Sequence, residues 1–203
     1  MTIGKGQRWG EEVARPADLR IVTNDADVAA ALADPQLGPV GLAGGDLHTT
    51  LGAPALGDRD RVTSYPIDLV DVRLDERDTF VACAHVVAHR PWWAGGWLRG
   101  RVGVAMNAEF LDHRDVAPRG HPNDGKIEVI ECSESMSIRQ RIVAERRSRR
   151  AAHLPHPALR VRSVSETRWV FPRPHVVRID GRPVATATVV ELHVRADAAT
   201  VHA

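Results

Sequence analysis

The stretch from Asn107 to Glu131, NAEFLDHRDVAPRGHPNDGKIEVIE, decides the fold. An asparagine at the end of an apolar segment leads through a polar loop to Asn123-Asp124-Gly125, which directly precedes the alternating segment Lys126 to Glu131. Alternation of apolar and polar residues predicts a half-buried strand. An Asx-Gly pair is typical of a tight turn. The stretch therefore predicts two strands joined by a loop that ends in an acidic glycine turn.

This order resembles the second half of the bacterial diacylglycerol-kinase-type lipid kinases. In that family an Asn-Gly or Asn-Ala strand precedes an Ala-Pro loop that ends in an acidic Asp-Gly turn. His153-Leu154-Pro155-His156-Pro157 is similar to the family's histidine-proline turn, and Asp180-Gly181-Arg182-Pro183 is similar to its Asp-Gly-Glu hairpin. About 140 residues, from roughly Val62 onward, follow the family order. The resemblance implies a β-sandwich like the C-terminal domain of lipid kinases and, more distantly, of NAD kinases.

The N-terminal part has a different pattern. A short strand, Leu19 to Thr23, precedes an alanine-rich helix that Asn24 or Asp25 can cap, and a second buried strand spans Val40 to Ala43. Glycines follow at the carboxyl end of that strand, as in α/β units that bind phosphate. The predicted fold is therefore α+β and mostly β: a truncated α/β unit over residues 1–57, then a β-sandwich over residues 58–203. Residues 1–17 are predicted to form a loose N-terminal segment. A segment near the C-terminus is expected to return to the first unit.

The glycine turn resembles the Gly-Gly-Asp-Gly-Thr loop of the lipid kinases. The resemblance implies that Gly44, Gly45, Asp46 and Thr49 bind ATP. Leu47 stands where the family has a glycine, and its side chain restricts the approach of the backbone to a phosphate. Only 43 residues precede Gly44, which are too few to complete the usual nucleotide crevice.

Three acidic residues match catalytic positions of the family. The resemblance implies that Asp180 and Asp46 act in catalysis and that Asp124 binds Mg²⁺, since phosphoryl transfer needs a metal and a base for the accepting hydroxyl. Each has a structural alternative: Asp46 as a helix cap, Asp124 as an Asx turn and Asp180 as the first residue of a hairpin turn. Arg182 replaces the family's glutamate, and this positive charge opposes metal binding.

Tryptophans alternate with arginines between residues 90 and 101. Amphipathic rings beside cations suit a membrane interface or a lipid headgroup, so Trp92, Trp93, Trp97 and Arg99 are candidate lipid contacts. The alternative is that the rings pack on the sandwich while the arginines face water. The arginine-rich helix predicted over residues 137–150 is likewise either a solvated surface or a headgroup clamp.

The remaining predicted strands form a meander. They cover residues 64–69, 71–74, 102–107, 159–164, 168–171, 175–179, 183–187, 189–194 and 200–202, while residues 79–88 fit a strand or a helix. The Asp180-Gly181 pair between alternating strands predicts a hairpin.

Composition excludes several classes of protein. The formal net charge of +1 provides no overall field for nucleic acid, and no apolar run approaches the 18 or so residues of a membrane span. Two distant cysteines without a CxxC pair favour a reducing cytoplasm. Cys83, His85 and His89 would share one face of a strand, but a zinc site lacks a fourth ligand.

Two functions are compatible with these patterns. The first is a non-catalytic relative of the lipid kinases that binds a lipid, a membrane surface or another partner. The alternative is an active lipid kinase that uses ATP and Mg²⁺. Sheet edges left uncovered by the short first unit also predict a homo-oligomer.

Overall fold

The computed structural model describes residues 9–34, 36 and 38–203. Within these residues the helices are α1 (Asp25–Ala33), α2 (Asp46–Leu51) and α3 (Ile138–Ser148). The strands are β1 (Glu11–Ala14), β2 (Arg20–Val22), β3 (Val40–Leu42), β4 (Arg61–Leu74), β5 (Asp78–Ala82), β6 (His85–His89), β7 (Val102–Met106), β8 (Phe110–Leu111), β9 (Arg114–Asp115), β10 (Ile127–Cys132), β11 (Leu159–Val164), β12 (Glu166–Ile179) and β13 (Arg182–His202). Two short 3-10 turns, Trp92–Ala94 and Gly96–Leu98, lie between β6 and β7.

The first unit has the predicted order of strand, helix and strand. β2 and β3 are parallel, with Ile21 opposite Gly41, and α1 connects them. Asn24 caps α1, since its side-chain oxygen accepts the Asp27 amide at 3.0 Å. The chain then passes from β3 through Gly44 and Gly45 into α2. The glycine turn therefore lies at the carboxyl end of a parallel strand.

A large sheet forms the rest of the fold. Its order is β1-β4-β13-β12-β6-β7-β10-β11, and these neighbours are antiparallel. β5 pairs with β4, and β3 pairs in parallel with the end of β13, where Val201 lies opposite Val40. The C-terminal strand thus returns to the first unit, as expected.

Several strands that were predicted separately are continuous. β13 covers the last three predicted strands and shifts register between Arg195 and Ala199, where it pairs with β4. β12 likewise joins two predicted strands across a register shift between Val170 and His175. Bulges allow a strand to continue through such a shift, and they leave no clear signal in hydrophobic alternation. The ambiguous segment 79–88 is two strands, β5 and β6.

Two apolar clusters form the core of the part of the chain that the structure describes. One lies within the sheet around the fully buried Trp169 and includes Val72, Val129 and Leu192. The other joins Val28, Leu42 and Leu47 of the first unit to Ile67 and Val201 of the long strands. The first unit therefore buries its apolar side chains against β4 and β13. The boundary between residues 57 and 58 stays a prediction.

Part of the N-terminal segment 1–17, which was expected to be loose, forms regular structure. Glu11–Ala14 forms β1, which pairs with β4, and the Trp9 indole donates to the Pro66 carbonyl at 3.0 Å. Residues 1–8, on which the same expectation falls, lie outside the described residues.

The strand β2 forms one edge of the sheet. Within the described chain it pairs only with β3, and its Ile21 is exposed. Self-association through this edge stays a prediction.

Candidate functional site

Asp180 anchors the turn between β5 and β6. Its Oδ1 accepts the amides of Ala84 and His85 and its Oδ2 accepts the amide of Cys83, each at 2.9 Å. Its own amide donates to the His85 carbonyl at 3.0 Å. Burial raises the pKa of Asp180, while His85 and the three amides oppose the shift. Both carboxylate oxygens are therefore engaged by backbone groups far away in sequence.

The glycine turn packs against its own chain. A β-carbon at Gly44 would lie 2.6 Å from the Thr23 carbonyl oxygen. Gly45 has a φ of +95°, and a β-carbon there would collide with the Asp25 carboxylate. The Thr49 hydroxyl donates to the Gly45 carbonyl at 2.9 Å. Internal contacts thus account for both glycines.

Asp25 occupies the position where an anion would bind to α2. Its Oδ2 accepts the Asp46 amide at 2.7 Å and its Oδ1 accepts the Leu47 amide at 3.0 Å. The first amides of a helix have no partner within the helix, and they commonly bind phosphate. Burial raises the pKa of Asp25 to about 6, against the effect of the two amides, and the charges of Asp180 and Asp46 add to the increase. A side-chain carboxylate thus takes the two donors that a phosphate would need.

Asp46 is paired with His85. Nε2 of His85 lies 3.1 Å from Oδ2 of Asp46, and Asp46 also accepts the amides of Asp112 at 3.0 Å and His113 at 3.4 Å. Burial opposes the charged form of Asp46, but His85 and these amides hold its pKa below the ordinary value. Burial also works against a charged His85, yet the hydrogen bond to Asp46 and the nearby carboxylates raise its pKa.

Cys83 does not add a nucleophile to this cluster. Its Sγ donates to the Asp25 carbonyl at 3.3 Å. Burial and the neighbouring carboxylates raise the pKa of the thiol well above its ordinary value, so the reactive thiolate is disfavoured.

A nucleotide phosphate does not fit the turn as it stands. Two amides at the start of α2 are occupied, and the Leu47 side chain lies fully in the core. Within the described residues, His85 is the only basic side chain that contacts Asp25, Asp46 or Asp180. Phosphate would therefore meet three carboxylates and one imidazole.

A magnesium ion is also poorly matched. Ligand atoms of Asp25, Asp46 and His85 lie within 4.8 Å of one another. Imidazole is not among the oxygen ligands that Mg²⁺ prefers, and each carboxylate oxygen already accepts an amide. A Mg²⁺ ion would therefore have to compete with backbone amides for every carboxylate oxygen of Asp25 and Asp46.

An apolar cavity of about 490 Å³ lies beside this cluster, between α3 and the strands β6, β7, β10 and β11. This volume is typical of sites for small organic ligands. Its apolar wall consists of Val87, Val102, Val104, Leu111, Val116, Ile130, Met136 and Leu159. His85 also lines it, so the acidic cluster contacts the cavity through this imidazole.

The predicted site residues fall into three places: the site around the glycine turn, the Asp124 turn and the tryptophan segment. Gly44, Gly45, Asp46 and Thr49 form the glycine turn, and Asp46 is linked through His85 to the β5–β6 turn that Asp180 binds. Asp124 lies outside the group of Asp25, Asp46 and His85 that the described residues bring within metal-binding distance. Its Oδ1 accepts the Lys126 amide at 3.0 Å, which is an Asx turn. A metal-binding role for Asp124 stays a prediction.

Asp25 and His85 were missed as members of this site. The sequence pattern predicts Asp25 only as a helix cap, and His85 only as a zinc-ligand candidate with Cys83 and His89. The signal for Asp25 was the pair of acidic residues that each begin a helix after a parallel strand, since such positions meet at one edge of the sheet.

The tryptophan segment lies on the surface. Trp92 is 82% exposed and Trp93 is 72% exposed, and their rings meet edge to face with centroids 6.0 Å apart. The alternative that these two rings pack on the sandwich is therefore wrong. Trp97 is 43% exposed and lines the cavity, and Arg99 is exposed beside it. Five exposed arginines of the helical region follow on and after α3: Arg139, Arg146, Arg147, Arg149 and Arg150.

No helix within the described residues has the length and apolar character needed to cross a bilayer.

Comparison with known proteins identifies the fold. No protein-family model and no curated protein matches the sequence. Among solved structures, two Bacillus anthracis strain Sterne proteins provisionally named diacylglycerol kinases superpose with TM-scores of 0.64 and 0.63 at 10% and 11% identity, each covering 91% of this chain and 77% of its own. A further structure from that strain, named a diacylglycerol kinase, gives a TM-score of 0.62 at 11% identity over 91% of this chain and 75% of its own. This chain therefore has the fold of the bacterial diacylglycerol-kinase structures, as its motifs predicted.

Proposed function

We propose that this protein is a non-catalytic relative of the lipid kinases that binds a lipid in the cavity beside α3. The observation that carries the proposal is the position of the Asp25 carboxylate on the amides of Asp46 and Leu47. A phosphate could reach these amides only by displacing a buried group that already satisfies them. That exchange would replace one anion by a larger one among further carboxylates, where like charges repel.

Asp180 is proposed to support the site rather than to act as a base. A general base must reach the proton of the accepting hydroxyl. The carboxylate of Asp180 is buried and accepts three amides at 2.9 Å, so a hydroxyl would have to compete with backbone donors. Its role in this proposal is to fix the β5–β6 turn and thereby place His85 in the cavity wall.

The cavity supports the lipid part of the proposal. Its wall is largely aliphatic and its volume of about 490 Å³ suits part of an acyl chain. Burial of such a chain contributes about 0.8 kcal/mol per methylene group. The exposed tryptophans lie next to the same cavity through Trp97, so a bilayer in contact with them would be close to its entrance.

The alternative is an active lipid kinase that uses ATP and Mg²⁺. It is favoured by the presence of Gly44, Gly45, Asp46 and Asp180 around one turn. It requires Asp25 to leave the amides of α2 when nucleotide binds. Saturable binding of ATP with Mg²⁺ separates the alternative from the main proposal.

Lipid binding can be tested with delipidated protein and a fluorescent fatty-acyl probe. We expect saturable binding of the probe to wild type. Val104→Trp should bind the probe roughly tenfold or more weakly, because the indole would occupy space in the cavity. Val170→Trp, at an exposed position on β12, is the matched control and should bind like wild type. Equal binding by all three proteins would show that the probe does not enter the cavity.

The tryptophan pair is expected to hold the protein on membranes. The double variant Trp92→Ala, Trp93→Ala should bind vesicles of anionic lipid several-fold less tightly than wild type in a sedimentation assay, because interfacial indoles contribute most to such contacts. Both side chains are mostly exposed, so folding should be unaffected. Unchanged vesicle binding would remove these residues from the membrane contact.

A further inference from the structure

The arginines that line the cavity are not equally paired with acids. Arg114 is neutralised, since its Nε lies 2.8 Å from Glu145 and its guanidinium 3.8 Å from Asp112. Arg141 and Arg178 have no carboxylate within 4.0 Å in the part of the chain that the structure describes. The cavity wall therefore contains three arginines against two carboxylates.

Of Arg141 and Arg178, Arg141 gives the stronger evidence for an uncompensated positive charge, because it is buried. It is only 3% exposed, and it donates to the carbonyls of Met136 at 3.0 Å, of Trp97 and Ser133 at 2.8 Å each, and of Gly100. Carbonyl oxygens satisfy N–H groups but leave the charge in place, and a buried charge without a counterion is costly. A guanidinium has five N–H donors, so one remains beyond these four bonds.

One buried imidazole on the cavity wall is compatible with an anionic ligand. Nε2 of His85 is paired with Asp46, and its Nδ1 has no partner within the described residues. Burial opposes a charged His85, but Asp46 and the nearby carboxylates raise its pKa, which favours the form in which Nδ1 is a donor. Buried donors normally find an acceptor, and an anionic head offers one.

From these observations we infer that the cavity binds an amphiphile with an anionic head, a carboxylate or a phosphate monoester carried on an acyl chain. Arg141 and Arg178 lie near the head and supply the charge, while the aliphatic wall takes the chain. Arg139 and Arg147 of α3 lie beside Ala144 and His153, which also line the cavity, and they add positive potential there. This inference rests on the proposed lipid function, and it names an anionic ligand where a lipid kinase would take a neutral alcohol.

The test compares lipids with the same chain and different heads. Delipidated full-length protein is titrated with oleate, with oleoyl lysophosphatidate and with monooleoylglycerol below their micelle concentrations, by calorimetry at low and at physiological salt. At least one anionic lipid should bind about tenfold or more tightly than monooleoylglycerol, because charge-assisted hydrogen bonds are about twice as strong as neutral ones. The preference should decrease with salt. The two anionic lipids distinguish a carboxylate head from a phosphate head.

Substitution of single arginines shows which positive charge selects the anionic head. Arg178→Gln should reduce the preference for the anionic head over monooleoylglycerol several-fold. Arg141→Gln should also reduce this preference if the variant folds. Arg178→Gln is the better test, because the hydrogen bonds of Arg141 join α3 to the Trp97–Gly100 segment and their loss could destabilise the protein. Arg168→Gln, which breaks an exposed pair with Glu191, is the control and should retain the wild-type preference.

Two results would overturn the inference. If monooleoylglycerol binds as tightly as both anionic lipids, the cavity holds lipid without selecting charge, and the proposed lipid function alone survives. If none of the three binds, both the inference and the proposed function fail.

Discussion

Asp180→Asn is expected to lower the free energy of unfolding by about 2–4 kcal/mol. The carboxylate accepts three buried amides through two oxygens. An asparagine offers a single acceptor oxygen and directs its NH₂ group at an amide that is itself a donor. Each buried donor left without a partner costs about 1–3 kcal/mol. Urea denaturation followed by tryptophan fluorescence measures the loss.

The control for Asp180→Asn is Asp124→Asn, the same chemical change at an Asx turn. Oδ1 of Asp124 accepts the Lys126 amide in an Asx turn, and asparagine forms Asx turns equally well. We expect a change below about 0.5 kcal/mol there, as for ordinary surface substitutions. If Asp180→Asn were as mild as the control, its carboxylate would be free for chemistry and the structural role proposed for it would be wrong.

The second large effect concerns the pH dependence of stability through Asp25. Its pKa in the folded protein is about 6, above the ordinary value of 3.8, so the folded state binds this proton more tightly than the unfolded state does. The resulting stabilisation is complete below the unfolded pKa and is lost as the pH rises through about 6. At about 1.4 kcal/mol per pKa unit, the total is about 3 kcal/mol.

The comparison of wild type with Asp25→Asn measures this contribution together with its coupling to Asp46, Asp180 and His85. Relative to the variant, wild type should gain about 2–3 kcal/mol of unfolding free energy as the pH falls from neutral to about 4, with most of the gain appearing below about pH 6. Denaturant titrations across this range give the difference directly. A difference that does not vary with pH would mean that Asp25 titrates alike in both states and is not held as a buried anion.

The fold could be predicted from the sequence because its signals are local. The Asn123-Asp124-Gly125 turn, the Asp180-Gly181 hairpin and the alternation of the strands each depend on a few neighbouring residues. The continuity of β12 and β13 could not be predicted, since a register shift is decided by the neighbouring strand rather than by the strand's own pattern.

The candidate site was only partly predictable for a related reason. The glycine turn identifies Asp46, but its amides and carboxylate are bound by Asp25 and His85, which lie 21 and 39 residues away. The spacing of residues along the sequence does not reveal tertiary contacts of this kind. The tryptophans show the opposite problem: the general tendency of Trp to be buried favoured packing, whereas the local Arg-rich context correctly indicated a surface position for Trp92 and Trp93.

In the proposed function the Asp25 carboxylate closes the glycine turn to nucleotide. Calorimetric titration of delipidated protein with ATP and Mg²⁺ tests it most directly, with Asp46→Asn as the companion variant. We predict no saturable heat of binding at millimolar nucleotide. A site with a millimolar dissociation constant, which corresponds to about 4 kcal/mol of binding free energy, would already be half filled at that concentration. Saturable binding of ATP that requires Mg²⁺ and is abolished by Asp46→Asn would contradict the account and restore the kinase alternative.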